Sequence, residues 1–514
     1  MKIAVFDIGT NSIHMLIVEI RDDLSFEILD HEKDTTRLGD GSFEKKRLAK
    51  TTMRRALEVL DRFAKLARKS GAKKTVAVAT SAVREAKNSG EFLHMIERRT
   101  GIRVRVITGE EEARLIFMAA RSSVETRGEK VLVVDIGGGS VELVLGDAKD
   151  TPFLASYKLG VARLTDRFIS TDPPSKKELR ALEEHVESEL KKPSKRIRKI
   201  GFSMVIGTAG TMVALAAMTY QDKKKRPLQL FNHFELSRKD LLRVHEKLVR
   251  MPWKERLKLP GLEAKRADII VAGSVLVTAL MRLLKVKRIT ISDKGIREGI
   301  ILDFIEKNRK GLKTRPGEEA LSIRERSVRQ LARRFAANEA HAEQVARLAV
   351  ELFDRTVTLH RLGDRERDLL KYSSLLHDIG YSISFKKHHK HSHYLIVNSD
   401  LDGFSPEEVE IMGAVARHHR KPLGKKKEGH FVSRSGKYTI KVLSSLLRIA
   451  DGLDRSHFSV IESMDCRVTP GSVVLTLHAR RDAELEVWQA GARADLFEKV
   501  FKRKLVILAG SAKK

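Results

Sequence analysis

Two short turns hold the residues best suited to phosphate chemistry. Asp7-Ile8-Gly9-Thr10-Asn11-Ser12 and Asp135-Ile136-Gly137-Gly138-Gly139-Ser140 each set an aspartate beside glycine and small polar residues. Glycine lets the backbone approach a ligand closely, and the N–H groups of such a turn can hold phosphate oxygens. A third small-residue turn, Gly207-Thr208-Ala209-Gly210-Thr211, precedes an apolar helical run. One such turn alone reads as an ordinary hairpin with an Asp cap. Two copies plus a third loop point instead to phosphate loops bracketing one cleft. Two aspartates then enter that cleft, able to hold a hydrated Mg²⁺ (or Mn²⁺), which favours carboxylate and phosphate oxygens.

These turns need strands and helices to hold them. Residues 3–9, 13–20 and 26–35 read as strands, and a helix is predicted from Glu44 to Lys69, with Leu48, Leu57, Leu60, Phe63 and Ala64 mostly at helical spacing. Strands are predicted at 75–80 and 103–108, a short helix at 91–100, and a helix from Glu110. VLVVDIGGGSVELVLG (131–146) repeats the plan of AVFDIGTNSIHMLIV (4–18), an internal duplication of strand, turn and strand. A helical segment at 175–198, MVIGTAGT (204–211) and helices to about 308 follow. Residues 307–324 read as a linker. From Arg326 the pattern is all-helical, and beyond Phe458 both VVLTLHA (473–479) and ELEVW (484–488) read as strands. The apolar stretch from Ile269 to Met281 is too short to span a membrane and reads as a core helix.

In motif content the chain resembles the actin/hexokinase/Hsp70 superfamily, and within it the exopolyphosphatase and guanosine pentaphosphate phosphatase (Ppx/GppA) family. The resemblance rests on FDIGTNSIHMLI (6–17), TSAVREA (80–86), ITGEEEARLIFM (107–118), VDIGGGSVELVLG (134–146), GTAGT (207–211), LPGLEAKRAD (259–268) and ISDKGIREGII (291–301). It continues through KHSHYLIVNSDLDGF (390–404) and ARHHRK (416–421). It implies an α/β fold of two actin-like (ribonuclease H-like) subdomains, residues 1–125 and 126–308. An all-α HD-type domain (320–457) and a small α+β C-terminal subdomain (458–514) follow.

Hydrolysis of a phosphoanhydride needs an oriented water, a base and cations over the phosphoryl oxygens. The run Glu110-Glu111-Glu112 does not say by itself which member is a base, since acidic residues also suit a helix N-terminus. The resemblance implies Glu112 as the catalytic glutamate. It implies Asp135 and Glu142 as the acidic residues associated with Mg²⁺, and Arg84 as a phosphate-contacting arginine, a role that suits a guanidinium. Glu142 reads otherwise as a solvent-facing strand residue, and Arg84 as an exposed residue at a helix start.

Further along, His341, the pair His377-Asp378 and the distant Asp451 each lie on helical runs and resemble the HD phosphohydrolase superfamily. That resemblance implies a divalent metal, with His391 and His419 as candidates for a second one. Two-metal sites suit phosphate-ester hydrolysis, and a His/carboxylate set fits Mn²⁺, Fe²⁺ or Zn²⁺ better than Mg²⁺. His388, His389, His393 and His418 read as surface or packing residues.

The formal net charge is +31, which attracts polyanions. Polyphosphate, nucleic acid and anionic surfaces all satisfy charge alone. Basic clusters at 223–226, 386–390 and 425–427 read as surface loops. The lone Cys466 allows no intrachain disulfide and fits a reducing compartment. Asp7 and Asn11 interrupt the first apolar run, so it is no signal peptide, and a cytoplasmic location without membrane association is expected.

The favoured expectation is an exopolyphosphatase, with the anionic polyphosphate substrate lying along a basic groove that runs from the cleft towards the helical domain. Hydrolysis of guanosine pentaphosphate (pppGpp) is the alternative, for which the charge is less telling. A superfamily kinase and a non-enzymatic polyanion sensor are further alternatives, nucleic acid entering only as a non-specific partner. The family resemblance also leaves room for a homodimer.

Overall fold

The computed structural model describes residues 1–22, 24–126, 128–225, 227–228, 231–309, 321–420 and 431–509. The basic cluster at 425–427, most of the 307–324 linker and Arg226 lie outside the described residues. Backbone contacts divide the chain into two compact units, Met1–Glu319 and Ala320–Lys514.

Unit 1 contains two sheets. The first is built from β1 (Lys2–Ile8), β2 (Ile13–Ile20), β3 (Phe26–Asp34), β4 (Lys74–Ala79) and β5 (Val104–Val106), in the order β3-β2-β1-β4-β5. The second is built from β6 (Val131–Ile136), β7 (Val141–Gly146), β8 (Phe153–Tyr157), β9 (Met204–Thr208), β10 (Glu235–Ser237) and β11 (Arg288–Ile291), in the order β10-β11-β9-β6-β7-β8. In each, a central strand (β1, β6) pairs antiparallel with the next strand and parallel with a later one (β4, β9). Central strands covered on both faces call for near-continuous apolar runs. Six of the seven β1 residues and all six of β6 are buried.

The duplication extends to register. Asp7 pairs with His14 and Asp135 with Glu142, each one step before its turn. Each turn closes with the same bond, Gly9 N–H to Ser12 O at 3.0 Å and Gly137 N–H to Ser140 O at 3.1 Å. At the position opposite the aspartate the two halves differ: His14 stands where the second has Glu142.

Helices cover the sheets. The helix Lys50–Lys69 buries Met53, Ala56, Leu57, Leu60, Phe63 and Ala64 against the first sheet, an apolar stripe at helical spacing. It does not extend back to Glu44: Lys46 takes a left-handed conformation (φ 49°), which separates the helix from the short turn Ser42–Lys45. The helix Gly109–Ser123 is capped by Thr108, whose hydroxyl accepts from Glu111 N–H at 3.1 Å. The apolar run from Ile269 is the buried helix Ile270–Leu283. Among the described residues no helix is long and apolar enough to cross a membrane.

Unit 2 is helical up to Gly452, with the helices Glu339–Arg355, Asp364–Leu376, His388–Val397, Pro406–His418 and Arg434–Gly452 forming its core. A small sheet of β12 (Ile461–Val468), β13 (Ser472–Ala479) and β14 (Lys504–Ala509) follows. VVLTLHA is in β13, as its alternation predicts. ELEVW is not a strand: it opens the helix Glu484–Gly491. Ala490 of that helix packs where Gly452 has no side chain, and buried Glu486 accepts from Ser456 N–H at 3.1 Å.

Candidate active site

The ends of β1, β6 and β9 converge on one cavity of about 330 Å³. It is lined by Asp7, Gly9, Thr10, Asn11, Ser12, Asp135, Gly137, Gly138, Gly139 and Ser140 from the two hairpins, by Gly210 and Thr211, and by Glu112. The two turns touch. A β-carbon placed on Gly138 would meet Thr10 at 3.3 Å and Asn11 at 3.4 Å, and one on Gly139 would meet Thr10 Oγ1 at 2.7 Å. These glycines let the loops face each other at backbone distance. The third loop is strained in its own way: Ala209 holds φ 70°, a left-handed conformation that costs an alanine energy.

Four carboxylates sit in and behind this cavity, and all are buried. Burial pushes Asp7 up to about 6, with Asp135 and Glu298 adding to the rise and Arg297 opposing it. Burial likewise lifts Asp135 to about 6, against a hydrogen bond from Thr208 Oγ1 at 2.5 Å. Glu112 rises to about 7 through burial and the charges of Asp135 and Asp7, while Arg84 opposes. Glu142 is held well above the usual range by burial and by Glu112 and Asp135, although Ser156 Oγ donates to it at 2.8 Å. A crowd of buried, mutually repelling oxygen ligands fits a hard dication that prefers carboxylate, hydroxyl and water oxygens. Arg266, Arg297 and Lys33 also line the cavity, beside Glu263 and Asp293.

Unit 2 holds a different cluster. Asp451 Oδ1 lies 3.6 Å from His341 Nε2 and 3.7 Å from His377 Nε2. Asp378 Oδ2 lies 3.4 Å from His377 Nε2 and 3.9 Å from His341 Nε2. Its other oxygen, Oδ1, lies 3.3 Å from His388 Nε2 and 3.6 Å from His419 Nε2. Asp378 thus joins two sets, His341/His377/Asp451 and Asp378/His388/His419, each with ligand atoms within 4.8 Å of one another. Every one of the four imidazoles has Nδ1 at an acceptor: Asp454 Oδ2 at 2.7 Å, Ser374 O at 2.7 Å, Phe385 O at 3.1 Å and Ala416 O at 2.6 Å. Such outer bonds fix the ring so that Nε2 points its lone pair inward. His341 Nε2, His377 Nε2 and Asp378 Oδ1 are buried without a hydrogen-bond partner. A buried orphan of this kind is costly unless a cation completes it, so the residues fit one.

Comparison with known proteins agrees with this architecture. Residues 16–308 match the Ppx/GppA phosphatase family, and residues 323–487 match Ppx/GppA phosphatase domain III. The chain belongs to the Ppx/GppA phosphatase family. A crystal structure of an exopolyphosphatase from Cytophaga hutchinsonii is 30% identical, covering 60% of this chain and 98% of that one, with a TM-score of 0.57. A Ppx/GppA family member from Aquifex aeolicus is also 30% identical over 60% of this chain and 98% of that one, with a TM-score of 0.52.

The Ppx/GppA cleft does not collect every residue singled out in the sequence. Gly207 and Thr208 do not line it: Gly207 packs beside Ile289 and Met212, and Thr208 holds Asp135 from behind. Glu142 is 1% exposed, not solvent-facing. Arg84 is half-buried and engaged, not an exposed helix-start residue. Its Nη1 donates to Glu112 Oε2 at 2.9 Å and to Ile107 O at 3.0 Å. Glu111 pairs instead with Arg105 at 2.5 Å.

Arg266 and Arg297 are among the cleft residues that sequence reasoning passed over, although both stand inside segments that carry the family resemblance. Arg297 Nη1 bonds His31 Nε2 at 2.8 Å and His14 Nδ1 at 3.3 Å, so the histidine that replaces a carboxylate in the first hairpin supports an arginine. Arg163 braces the second turn through Gly139 O at 3.0 Å. In unit 2, His391 is not in the cluster; His388, read from sequence as a surface or packing residue, takes that place. Both stand on the helix His388–Val397, but His388 is in its first turn, where Nε2 reaches His419 Nε2 at 3.2 Å.

Proposed function

We propose that unit 1 is an exopolyphosphatase that removes terminal phosphates from inorganic polyphosphate. The reading is carried by one observation: the two Asp-Gly turns meet face to face over a cavity that Glu112 also lines. The terminal phosphoryl group sits between the turns, its oxygens against their N–H groups and against Arg266 and Arg297. Glu112, oriented by Arg84, takes a proton from water. The water oxygen bonds to the terminal phosphorus, the bridging P–O bond breaks, and orthophosphate leaves. Asp135 and Glu142 are the residues that would hold Mg²⁺, whose contribution is to neutralise charge on the phosphoryl oxygens. A nucleotide end is not needed by any of these contacts. The test is orthophosphate release from long polyphosphate and from pppGpp, each with and without Mg²⁺. Faster Mg²⁺-dependent release from polyphosphate is expected; a clear preference for pppGpp overturns the substrate assignment.

A second reading concerns unit 2. His341, His377, Asp378 and Asp451, joined through Asp378 to His388 and His419, hold divalent transition-metal ions in an HD-type site. Ligands that bind only the folded state raise its stability by mass action, by about 2.7 kcal/mol at 100-fold over Kd. Mn²⁺ at that excess is expected to raise the Tm of the unit 2 transition by roughly 5–10 °C. Asp378→Ala is expected to erase the increment, as differential scanning calorimetry with metal analysis would show. An equal increment in both proteins would place the metal elsewhere.

A further inference from the structure

The first hairpin of unit 1 contains a chain of hydrogen bonds that ends in its own phosphate turn. Arg297, which stands in the first turn of the helix Ile296–Asn308 and lines the cleft, donates from Nη1 to His31 Nε2 at 2.8 Å and to His14 Nδ1 at 3.3 Å. On its other side His14 Nε2 lies 3.2 Å from Ser12 Oγ, in the turn itself.

The direction of this chain follows from its donors. A guanidinium has no acceptor, and a neutral imidazole has one donor and one acceptor. Both ring nitrogens facing Arg297 therefore accept, both imidazoles are neutral, and the proton of His14 sits on Nε2. The two accepting nitrogens are 3.2 Å apart and take one hydrogen each from Nη1. The surroundings favour neutral rings. Burial holds His14 far below the usual imidazole range, helped by Arg297, His31, Lys33 and Arg266. Burial and Arg297 lower His31 as well, with Lys33 adding and Glu298 and Asp30 opposing. His14 Nε2–H then donates to Ser12 Oγ, which leaves the Ser12 hydrogen for the cleft that Ser12 lines. The second hairpin runs the other way. Glu142 stands at the place of His14, and its carboxylate accepts from the Ser140 hydroxyl, so Ser140 keeps lone pairs for the cleft. A hydroxyl that offers its hydrogen suits a phosphate oxygen, and one that offers lone pairs suits a hard cation.

We infer that His14 and His31 are positioning residues that commit the first hairpin to the phosphoryl group, by holding Arg297 and the Ser12 hydroxyl as donors towards it; this rests on the exopolyphosphatase reading of unit 1. Two neutral imidazoles fix the guanidinium without cancelling its charge. A carboxylate in place of His14 would pair with Arg297 and take the Ser12 hydrogen, so the first turn would lose both donors at once. The duplicated hairpins have diverged in hydrogen-bond polarity, one serving the anion and the other the cation.

The test is steady-state orthophosphate release from long polyphosphate by the full chain at saturating Mg²⁺. His31 is exposed, so His31→Ala keeps the fold. It is expected to raise KM about 10-fold while kcat stays within about 3-fold of wild type. In an Arg297→Gln background the same substitution is expected to add nothing, because the imidazole then has no guanidinium to hold. His14→Gln carries an amide whose oxygen can accept from Arg297 and whose N–H can donate to Ser12, so its KM is expected within about 3-fold of wild type. His14→Glu, which installs the side chain of the second hairpin, is expected to raise KM about 100-fold. Additive effects of His31→Ala and Arg297→Gln, or a wild-type KM in His14→Glu, overturn the inference while the exopolyphosphatase reading stands. A His14→Gln variant as impaired as His14→Glu also overturns it, since ring packing and not hydrogen-bond polarity would then decide. No release from polyphosphate by wild type overturns the exopolyphosphatase reading and the inference with it.

Discussion

Glu112→Gln is expected to lower orthophosphate release from polyphosphate by about 10²- to 10⁴-fold, the usual contribution of a positioned general base. Glutamine keeps the size of the side chain and an oxygen for Arg84 to bond, but it cannot take a proton. In the proposed binding mode the substrate contacts lie on the turns and on Arg266 and Arg297, so KM should move little while kcat falls. The pH profile adds a readout that a structural role would not give. Burial, with the charges of Asp135 and Asp7, raises the Glu112 carboxyl to about 7. A base works only when deprotonated, so the wild-type rate should climb as pH rises through neutrality and then level off. Mg²⁺ binding beside Asp135 draws the midpoint below that value, because a nearby cation favours the carboxylate. The glutamine variant should lose this limb. Wild-type rates in Glu112→Gln, or an unchanged profile, would exclude Glu112 as the base.

Much of unit 1 was legible because its signals are local and repeated. The β-branched runs around Asp7 and Asp135 marked two central strands, and their duplication placed two turns at equivalent strand ends. That the turns meet depends on Gly138 and Gly139 lacking side chains against Thr10 and Ser81, which repetition suggests but does not require. Choosing Glu112 from its run needed the family resemblance, since Glu110 and Glu111 have the same local chemistry. Arg297 could not be read as a cleft residue from its own neighbourhood. It stands 283 residues from His14, and only tertiary packing joins them. The misreadings in unit 2 have the same origin. ELEVW alternates over too few residues to separate strand from helix, and the contact that decides is Ala490 on Gly452. His388 and His391 are three apart on one helix, so spacing alone left both available. The approach of His388 Nε2 to His419 and Asp378 makes the choice.

Asp135→Asn should cost about 10³-fold in activity, because ligation of the cation is worth several kcal/mol of transition-state charge stabilisation. Two further signatures separate that role from mere packing. Asparagine can still accept the Thr208 hydroxyl bond, so the hairpin should survive, but the remaining carboxylates bind Mg²⁺ more weakly. Activity should then recover in part at high Mg²⁺. Removing the Asp135 charge also relieves Glu112, so the residual activity should rise at lower pH than in wild type. Stability should move in the opposite direction from activity. Asp135 is raised from an ordinary 3.8 to about 6, so its ionisation favours the unfolded chain. In metal-free protein the resulting loss of stability is absent below about pH 3.8, grows as pH rises towards 6, and is roughly 3 kcal/mol beyond it. Asp135→Asn should therefore raise the metal-free Tm near neutrality and leave it unchanged in acid. Saturating Mg²⁺ should reverse the neutral-pH ranking by stabilising wild type more than the variant. A variant that is destabilised at every pH and insensitive to Mg²⁺ would mean that Asp135 serves the hairpin and not the cation.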